Sequence, residues 1–357
     1  VEGRQPRGPH RIAGTARPRA GVPSERPRNH RAPRHVTTRM TRRFLSAAAL
    51  AATLALTASV AATPAAAADT TVVPDPAARQ VTALDGTVVW VADTTDGRQR
   101  LMQHTAATTQ LVKGAPAARF YRTVDLGRDR RNRLTLTYLR CDTPSRCVAR
   151  QDDLTGTRAS IRGLTPSGCS LGTAPALWRE RAAYGLVCRT GARVDTRRSG
   201  LYVKTGSGAP RRLGRPADAA RFGVWEVTSA DVRGTRVGAV ISDIYSYAFS
   251  ANADGTDTRG FLAAASEGDS DAHANGLAVG PGGALWELTD AEHAGDPLQA
   301  VINRMSGSCR EFEVLTSAPS EQAFRAIDLA VDGATLYLVV PGTGIVTHGF
   351  TPSHPCS

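Results

Sequence analysis

The chain has 357 residues, 41% of them apolar, and a formal net charge of +12. Twelve Arg and two Glu fall within residues 1–68, so residues 69–357 carry 32 basic and 30 acidic side chains. A body so nearly neutral lacks the general excess of cations that drives counterion release, which excludes nucleic acid from the expected partners.

Residues 1–39 are rich in Arg, Pro and Gly, poor in apolar side chains, and contain no Met. Such a segment cannot repay the entropy of ordering, and it is expected to be either a disordered basic tail or no part of the native protein, with Met40 as the true start. From Met40 the pattern is that of a secretory signal peptide: Arg42 and Arg43, an uncharged run from Phe44 to Ala62, and small residues up to Ala68. Thr41-Arg42-Arg43-Phe44-Leu45 is an incomplete twin-arginine match. Pro64 and the Ala/Thr composition argue against a membrane anchor, and no Cys stands near the leader to take a lipid. The mature protein is therefore expected to begin near Asp69, secreted or at the cell surface, with no stable membrane insertion after cleavage.

Residues 69–357 are read as one domain built on a repeat. A turn followed by an apolar strand recurs at Asp85-Gly86, Arg131-Asn132, Arg179-Glu180, Arg233-Gly234, Gly282-Gly283 and Asp332-Gly333. The spacing is about fifty residues, with room for one strand before each turn and two more after the second strand, which is the plan of a propeller blade. The expected fold is all-β: a six-bladed β-propeller of four-stranded blades. The sixth unit stops after three strands near Phe350, and Thr70–Val73 is expected to supply its outer strand and close the ring. A seventh, degenerate unit near residue 215 is the alternative.

Asn252-Ala253-Asp254-Gly255-Thr256-Asp257-Thr258-Arg259-Gly260-Phe261-Leu262 resembles the outer hairpin of TolB-like propellers, and Val203–Gly208 and Asp153–Thr157 are looser copies. The resemblance covers the repeat framework and implies the fold. The additional amino-terminal domain of the TolB protein itself is not expected in residues 69–357, which the repeat fills.

All six cysteines lie in the exported part, as expected for an oxidising compartment. The blade model selects three disulfides: Cys141 with Cys147 across a hairpin, Cys169 with Cys188 in the third blade, and Cys309 with Cys356 at the carboxy terminus.

No catalytic set and no cofactor emerge. Gly168-Cys169-Ser170-Leu171-Gly172 matches the nucleophile-elbow spacing but lacks the strand before, the helix after and a nearby base. Asn252, Asp254 and Asp257 fit an Asx-turned hairpin better than a calcium loop. Sorting loops by face gathers Glu267, Asp269, Asp271 and His273 with Asp290, Glu292, His293 and Asp296 at the fifth blade. Arg189, Arg193, Arg197 and Arg198 gather at the third, with Trp225 and Tyr245 near the fourth. The expected function is an exported binding or scaffold propeller whose channel-mouth face recognises a protein or envelope ligand. The alternative is a metal-dependent hydrolase or lactonase at the same mouth, although the acidic residues crowd onto one blade.

Overall fold

The protein is described by a computed structural model over residues 69–353, 355 and 356, except 107, 144–145, 215–225, 243–244, 266–272, 292–298 and 316–325. At 245, 261–265, 273–275, 290, 291 and 299 the description is of the backbone alone. The described strands run in chain order as follows. After β1 (Thr70–Val73), the first unit has β2 (Ala78–Leu84), β3 (Thr87–Asp93), β4 (Gln99–Thr105) and β5 (Thr108–Leu111). The second has β6 (Phe120–Arg128), β7 (Leu134–Thr143), β8 (Arg146–Asp152) and β9 (Arg158–Ser160). The third is more broken: β10 (Cys169–Leu171), β11 (Ala176–Trp178), β12 (Arg181–Thr190), β13 (Arg193–Val194), β14 (Gly200–Thr205) and β15 (Arg211–Arg212). The fourth has β16 (Glu226–Arg233), β17 (Arg236–Ser242), β18 (Tyr245–Asn252) and β19 (Arg259–Ala265). The fifth has β20 (His273–Val279), β21 (Leu285–Ala291), β22 (Gln299–Ser306) and β23 (Cys309–Leu315). The sixth has β24 (Asp328–Asp332), β25 (Thr335–Val340) and β26 (Gly344–His348).

These strands make a propeller-like, all-β arrangement. Among the described residues, four sheets are separate four-stranded antiparallel blades: β2-β3-β4-β5, β16-β17-β18-β19, β20-β21-β22-β23, and β1-β26-β25-β24. In the last, Thr70 stands opposite Thr347 and Thr71 opposite Val346. The second and third units instead merge into one ten-stranded sheet, because β11 runs parallel to β6 at Trp178 and Arg128. Gly127 permits this approach: a Cβ there would lie 1.8 Å from the Leu177 carbonyl oxygen. The innermost strands follow one another in a circuit, β2 on β6, β6 on β11, β11 on β16, β16 on β20, β20 on β24, and β24 on β2.

The repeat turns explain the register. Each of the six holds a residue of positive φ: Gly86, Asn132, Arg179, Gly234, Gly282 and Gly333. Such φ values match the twist of the flanking strands in a two-residue hairpin and fix which face each side chain takes. Apolar residues then meet in the seams between sheets. Trp90 and Val339 share one seam, Val91 and Tyr138 the next, Val203 and Phe249 another, and Leu288 and Leu338 another. Trp90 is fully buried, and its indole N–H donates to Asp75 Oδ2 at 2.7 Å, so the ring's polar edge is satisfied.

The three disulfides are Cys141–Cys147, Cys169–Cys188 and Cys309–Cys356. Their surroundings differ in detail from the blade model. Cys141 and Cys147 are direct cross-strand partners inside β7 and β8, and Cys169 lies in β10 opposite Cys188, not in a loop. Cys356 arrives beyond β26, in a tail laid along β23 by Thr351 N–H to Glu313, Ser353 N–H to the Phe312 carbonyl, and Cys356 N–H to Glu311. That tail covers an otherwise open sheet edge. The segment proposed for a seventh unit falls in 215–225, outside the described residues. No helix among the described residues is long and apolar enough to cross a membrane.

Candidate functional site at the channel wall

The innermost strands enclose a cavity of about 280 Å³, walled by β2, β6, β16, β20, β24 and the neighbourhood of β11. A strand so placed shows one face to each neighbouring sheet and its edge to the channel, so polar residues there either hold neighbours together or meet whatever enters. Irregular registers at Tyr121/Val124, Val227/Ser229, Ala274/Gly276 and Ala78/Gln80 sit on these strands, where bulges commonly re-aim side chains.

Three carboxylates reach the wall from alternate units. Asp125 Oδ2 accepts the Leu177 N–H at 3.3 Å, from the second unit to the third. Asp231 accepts the Val279 N–H at 2.5 Å, from the fourth to the fifth, and the Val232 N–H at 2.6 Å. Asp328 accepts the Val81 N–H at 2.9 Å, from the sixth to the first, and the Leu329 N–H at 2.9 Å. Thr82 continues the pattern by accepting the Leu126 N–H at 2.8 Å. The bonds to Leu177, Val279, Val81 and Leu126 each tie the inner strand of one unit to the next, and a backbone donor paired this way escapes the cost of burial without a partner.

The carboxylates keep a narrow opening to the channel and are otherwise surrounded by protein. Burial therefore raises all three above the usual carboxylate range. It lifts Asp328 to about 7 against the pull of its two amide donors. It lifts Asp125 well above its ordinary value, with the nearby Asp231 charge adding to the effect, and Asp231 is raised for the same reason of burial. Each wall carboxylate therefore holds its proton to a higher pH than a solvent-exposed one. These carboxylates act as strand clasps, and no group of three or more His, Cys, Asp or Glu among the described residues is arranged to hold a metal ion.

Sequence reasoning overlooked these aspartates by concentrating on the fifth unit. A signal was present: an Asp between apolar neighbours closes in on the repeat turn in Val124-Asp125-Leu126, Ala230-Asp231-Val232 and Ile327-Asp328-Leu329. Three acidic residues outside the cluster expected at the fifth blade thus come to the channel from three units.

The residues singled out from the sequence are placed as follows. His273 and Asp290 are cross-strand partners on β20 and β21, and Tyr245 opens β18, each described by its backbone. Glu267, Asp269, Asp271, Glu292, His293, Asp296 and Trp225 lie outside the described residues. Arg193 is exposed on β13 opposite Thr190, and Arg197 is exposed in a turn where its N–H donates to Asp195 Oδ1 at 3.1 Å. Ser170 lies on strand β10, where its hydroxyl donates to the Val187 carbonyl at 3.4 Å and its neighbour Cys169 is in a disulfide. Asp254 accepts the Thr256 N–H at 2.9 Å and its hydroxyl at 2.6 Å, the local bonding of a turn, while Asp257 pairs with Arg236 and Arg259 at 2.7 Å each.

No protein-family model matches the chain, and no curated protein matches it by sequence. Solved structures of β-propeller proteins are similar to it at low identity. A puromycin hydrolase shares 17% identity over 80% of this chain, with a TM-score of 0.45, and this chain spans 56% of that protein. The β-propeller domain of the Trilobed protease from Pyrococcus furiosus shares 9% over 78% of this chain and 83% of that one, with a TM-score of 0.45. The WD40 propeller domain of Doa1 shares 12% over 79% of this chain and 95% of that one, with a TM-score of 0.42.

Proposed function

We propose that this is an exported binding or scaffold propeller, TolB-like in blade plan, with six blades closed by β1 and a channel-mouth face that recognises a protein or envelope ligand. The observation that carries the reading is the use of the channel-wall carboxylates. Asp231 and Asp328 each spend both oxygens on backbone amides, two of them in the next unit, and Asp125 reaches across in the same way. Groups committed to holding the ring are poorly free to act as base or nucleophile, and a rigid ring is a good platform for recognition. The pairing of β1 with β26 and the circuit of inner strands support the six-bladed count. Three disulfides suit an oxidising compartment, and the candidate contacts remain Glu267, Asp269, Asp271, His273, Asp290, Glu292, His293 and Asp296, with Arg193, Arg197, Trp225 and Tyr245.

The second reading is a metal-dependent hydrolase at the mouth, favoured by the approach of three aspartates from alternate units. Elemental analysis of the purified protein, together with an ester and lactone panel, separates the two. The binding reading expects no stoichiometric metal, no hydrolysis above buffer, and saturable binding to a cell-envelope fraction. That binding is expected to weaken when Asp269, Asp271, Asp290 and Glu292 are replaced by Asn or Gln. One metal per chain with turnover abolished in Asp231→Asn would establish the hydrolase instead.

A further inference from the structure

The overall charge balance conceals a strong segregation. Residues 113–212, which include the whole ten-stranded sheet, hold 21 Arg and Lys against 7 Asp and Glu. The rest of residues 69–357 holds 11 basic against 23 acidic side chains. Excess charge of this kind steers anions toward one sector of the molecule, whatever they finally contact.

Within that sector, one pocket is built for an anion. Arg140 on β7, Arg150 on β8 and Arg158 on β9 come from three successive strands and share the face that carries Tyr138. Arg150 stands directly opposite Tyr138 and Ser160, and Arg140 and Arg158 flank it diagonally. Like charges so close on one sheet face repel unless something between them is negative. The cavity they line, of about 340 Å³, is completed by Pro116 and Gly156. Tyr121, stacked edge-on against Tyr138 with ring centroids 5.5 Å apart, donates its hydroxyl to the Pro116 carbonyl and so holds that loop in place.

The protein's own acids do not fill the pocket. Asp152 is fully buried, and the approach of Arg158 to it is long, at 3.7 Å. Asp142 lies 3.7 Å from Arg140, and Arg150 donates to the neutral Ser160 hydroxyl. Donors are left over: the buried Nε of Arg140 makes no hydrogen bond, and the hydroxyl of Tyr138, a residue with 0% exposure, has only the Arg158 guanidinium, itself a donor, beside it. Donors withheld from both water and protein are a cost that an acceptor in the pocket removes.

The geometry points to a binding site for a tetrahedral oxyanion, a phosphate or sulfate group, formed by Arg140, Arg150, Arg158 and Tyr138. A carboxylate offers two oxygens in one plane, whereas a tetrahedral group presents acceptors to three guanidinium forks and a hydroxyl at once. The cavity has space beyond the anion for part of the residue that bears it. This site stands apart from the channel-mouth reading and does not depend on it.

The test is calorimetric titration of the purified protein at low salt with inorganic phosphate and, separately, inorganic sulfate, followed by competition with polyphosphate and dextran sulfate. Saturable binding of either ion is expected, and the stronger competitor assigns the polymer source. The double variant Arg150→Gln/Arg158→Gln should lose about tenfold or more in affinity, the loss of charge-assisted hydrogen bonds. Tyr138→Phe, which keeps the ring and its packing, should lose about threefold. The control Arg130→Gln/Arg131→Gln removes two exposed charges from the same sector and should change affinity less than about twofold. Should the double variant fail to fold, Arg140→Gln and Tyr138→Phe alone decide the matter. No saturable binding of either ion, or equal weakening in the control and pocket variants, overturns the site.

Discussion

The second and third units are braced in a different way from the fifth. The former share a continuous sheet, joined where β11 meets β6, and are pinned by two disulfides that close sequence separations of 6 and 19. Their ionic side chains are mostly arginines at the surface. The fifth unit is a separate four-stranded sheet held from outside by the carboxy-terminal tail through a disulfide of separation 47. At its centre is a fully buried acid, Glu287, with Oε2 accepting the Asn303 amide at 2.7 Å and Oε1 unpaired. Asn303 in turn accepts from Arg310 at 2.9 and 3.3 Å, so a cation supports the acid through an intermediary. One repeat plan thus tolerates two kinds of bracing: a continuous sheet with short bridges in one place, and a long bridge around a titratable centre in the other.

The sharpest way to break this comparison is through pH. Burial pushes Glu287 up to about 8 from an ordinary value of 4.5, against the opposing effects of Asn303 and Arg310. The folded chain then holds a proton that the unfolded chain has released. Its stabilising effect is complete below about pH 4.5, is lost as pH rises to about 8, and is level beyond. The full span amounts to about 5 kcal/mol at roughly 1.4 kcal/mol per pH unit. Urea unfolding of the native protein across this range should show falling stability, and Glu287→Gln should flatten much of the slope. Identical slopes for the two would remove Glu287 as the titrating brace. Asp328 acts in the same direction over a narrower window, from 3.8 to about 7, so Asp328→Asn should flatten the lower part of the curve.

The covalent side of the comparison is next in size. On the chain-entropy estimate, opening the 47-residue loop by Cys309→Ser/Cys356→Ser costs about 4 kcal/mol, and opening Cys141–Cys147 costs about 2. Thermal melting of the two double variants should preserve that order; the reverse order would mean that the short bridge carries strain or local structure that loop length ignores. Smallest of all, Arg79→Gln removes an exposed pair with Asp93 in the first unit and should shift stability by less than about 0.5 kcal/mol. A larger loss would show that surface pairing, rather than seams and bridges, holds the sheets.

The repeat turns were legible because they are local. Asp85-Gly86 and Asp332-Gly333 favour positive φ whatever surrounds them, and a strand follows each turn at once, from Thr87 and Thr335. Cysteine pairing followed from the same spacing, since Cys141 and Cys147 are bound to face one another once their strands form a hairpin.

What lay beyond the sequence were relations between units. Nothing near Gly127 announces that Leu177 will come against it and merge two sheets, because that contact joins residues fifty positions apart. Asp125, Asp231 and Asp328 each read as an ordinary polar residue in an apolar strand until the ring brings a neighbour's amide to its carboxylate. The arginines at 140, 150 and 158 sit on three successive strands at no repeating interval, and become a pocket only through cross-strand register and the loop at Pro116. Turn chemistry and alternation act over a few residues and are written in the sequence directly. Burial, desolvation and convergence of charge depend on the sum of packed surroundings, and only the tertiary structure decides them.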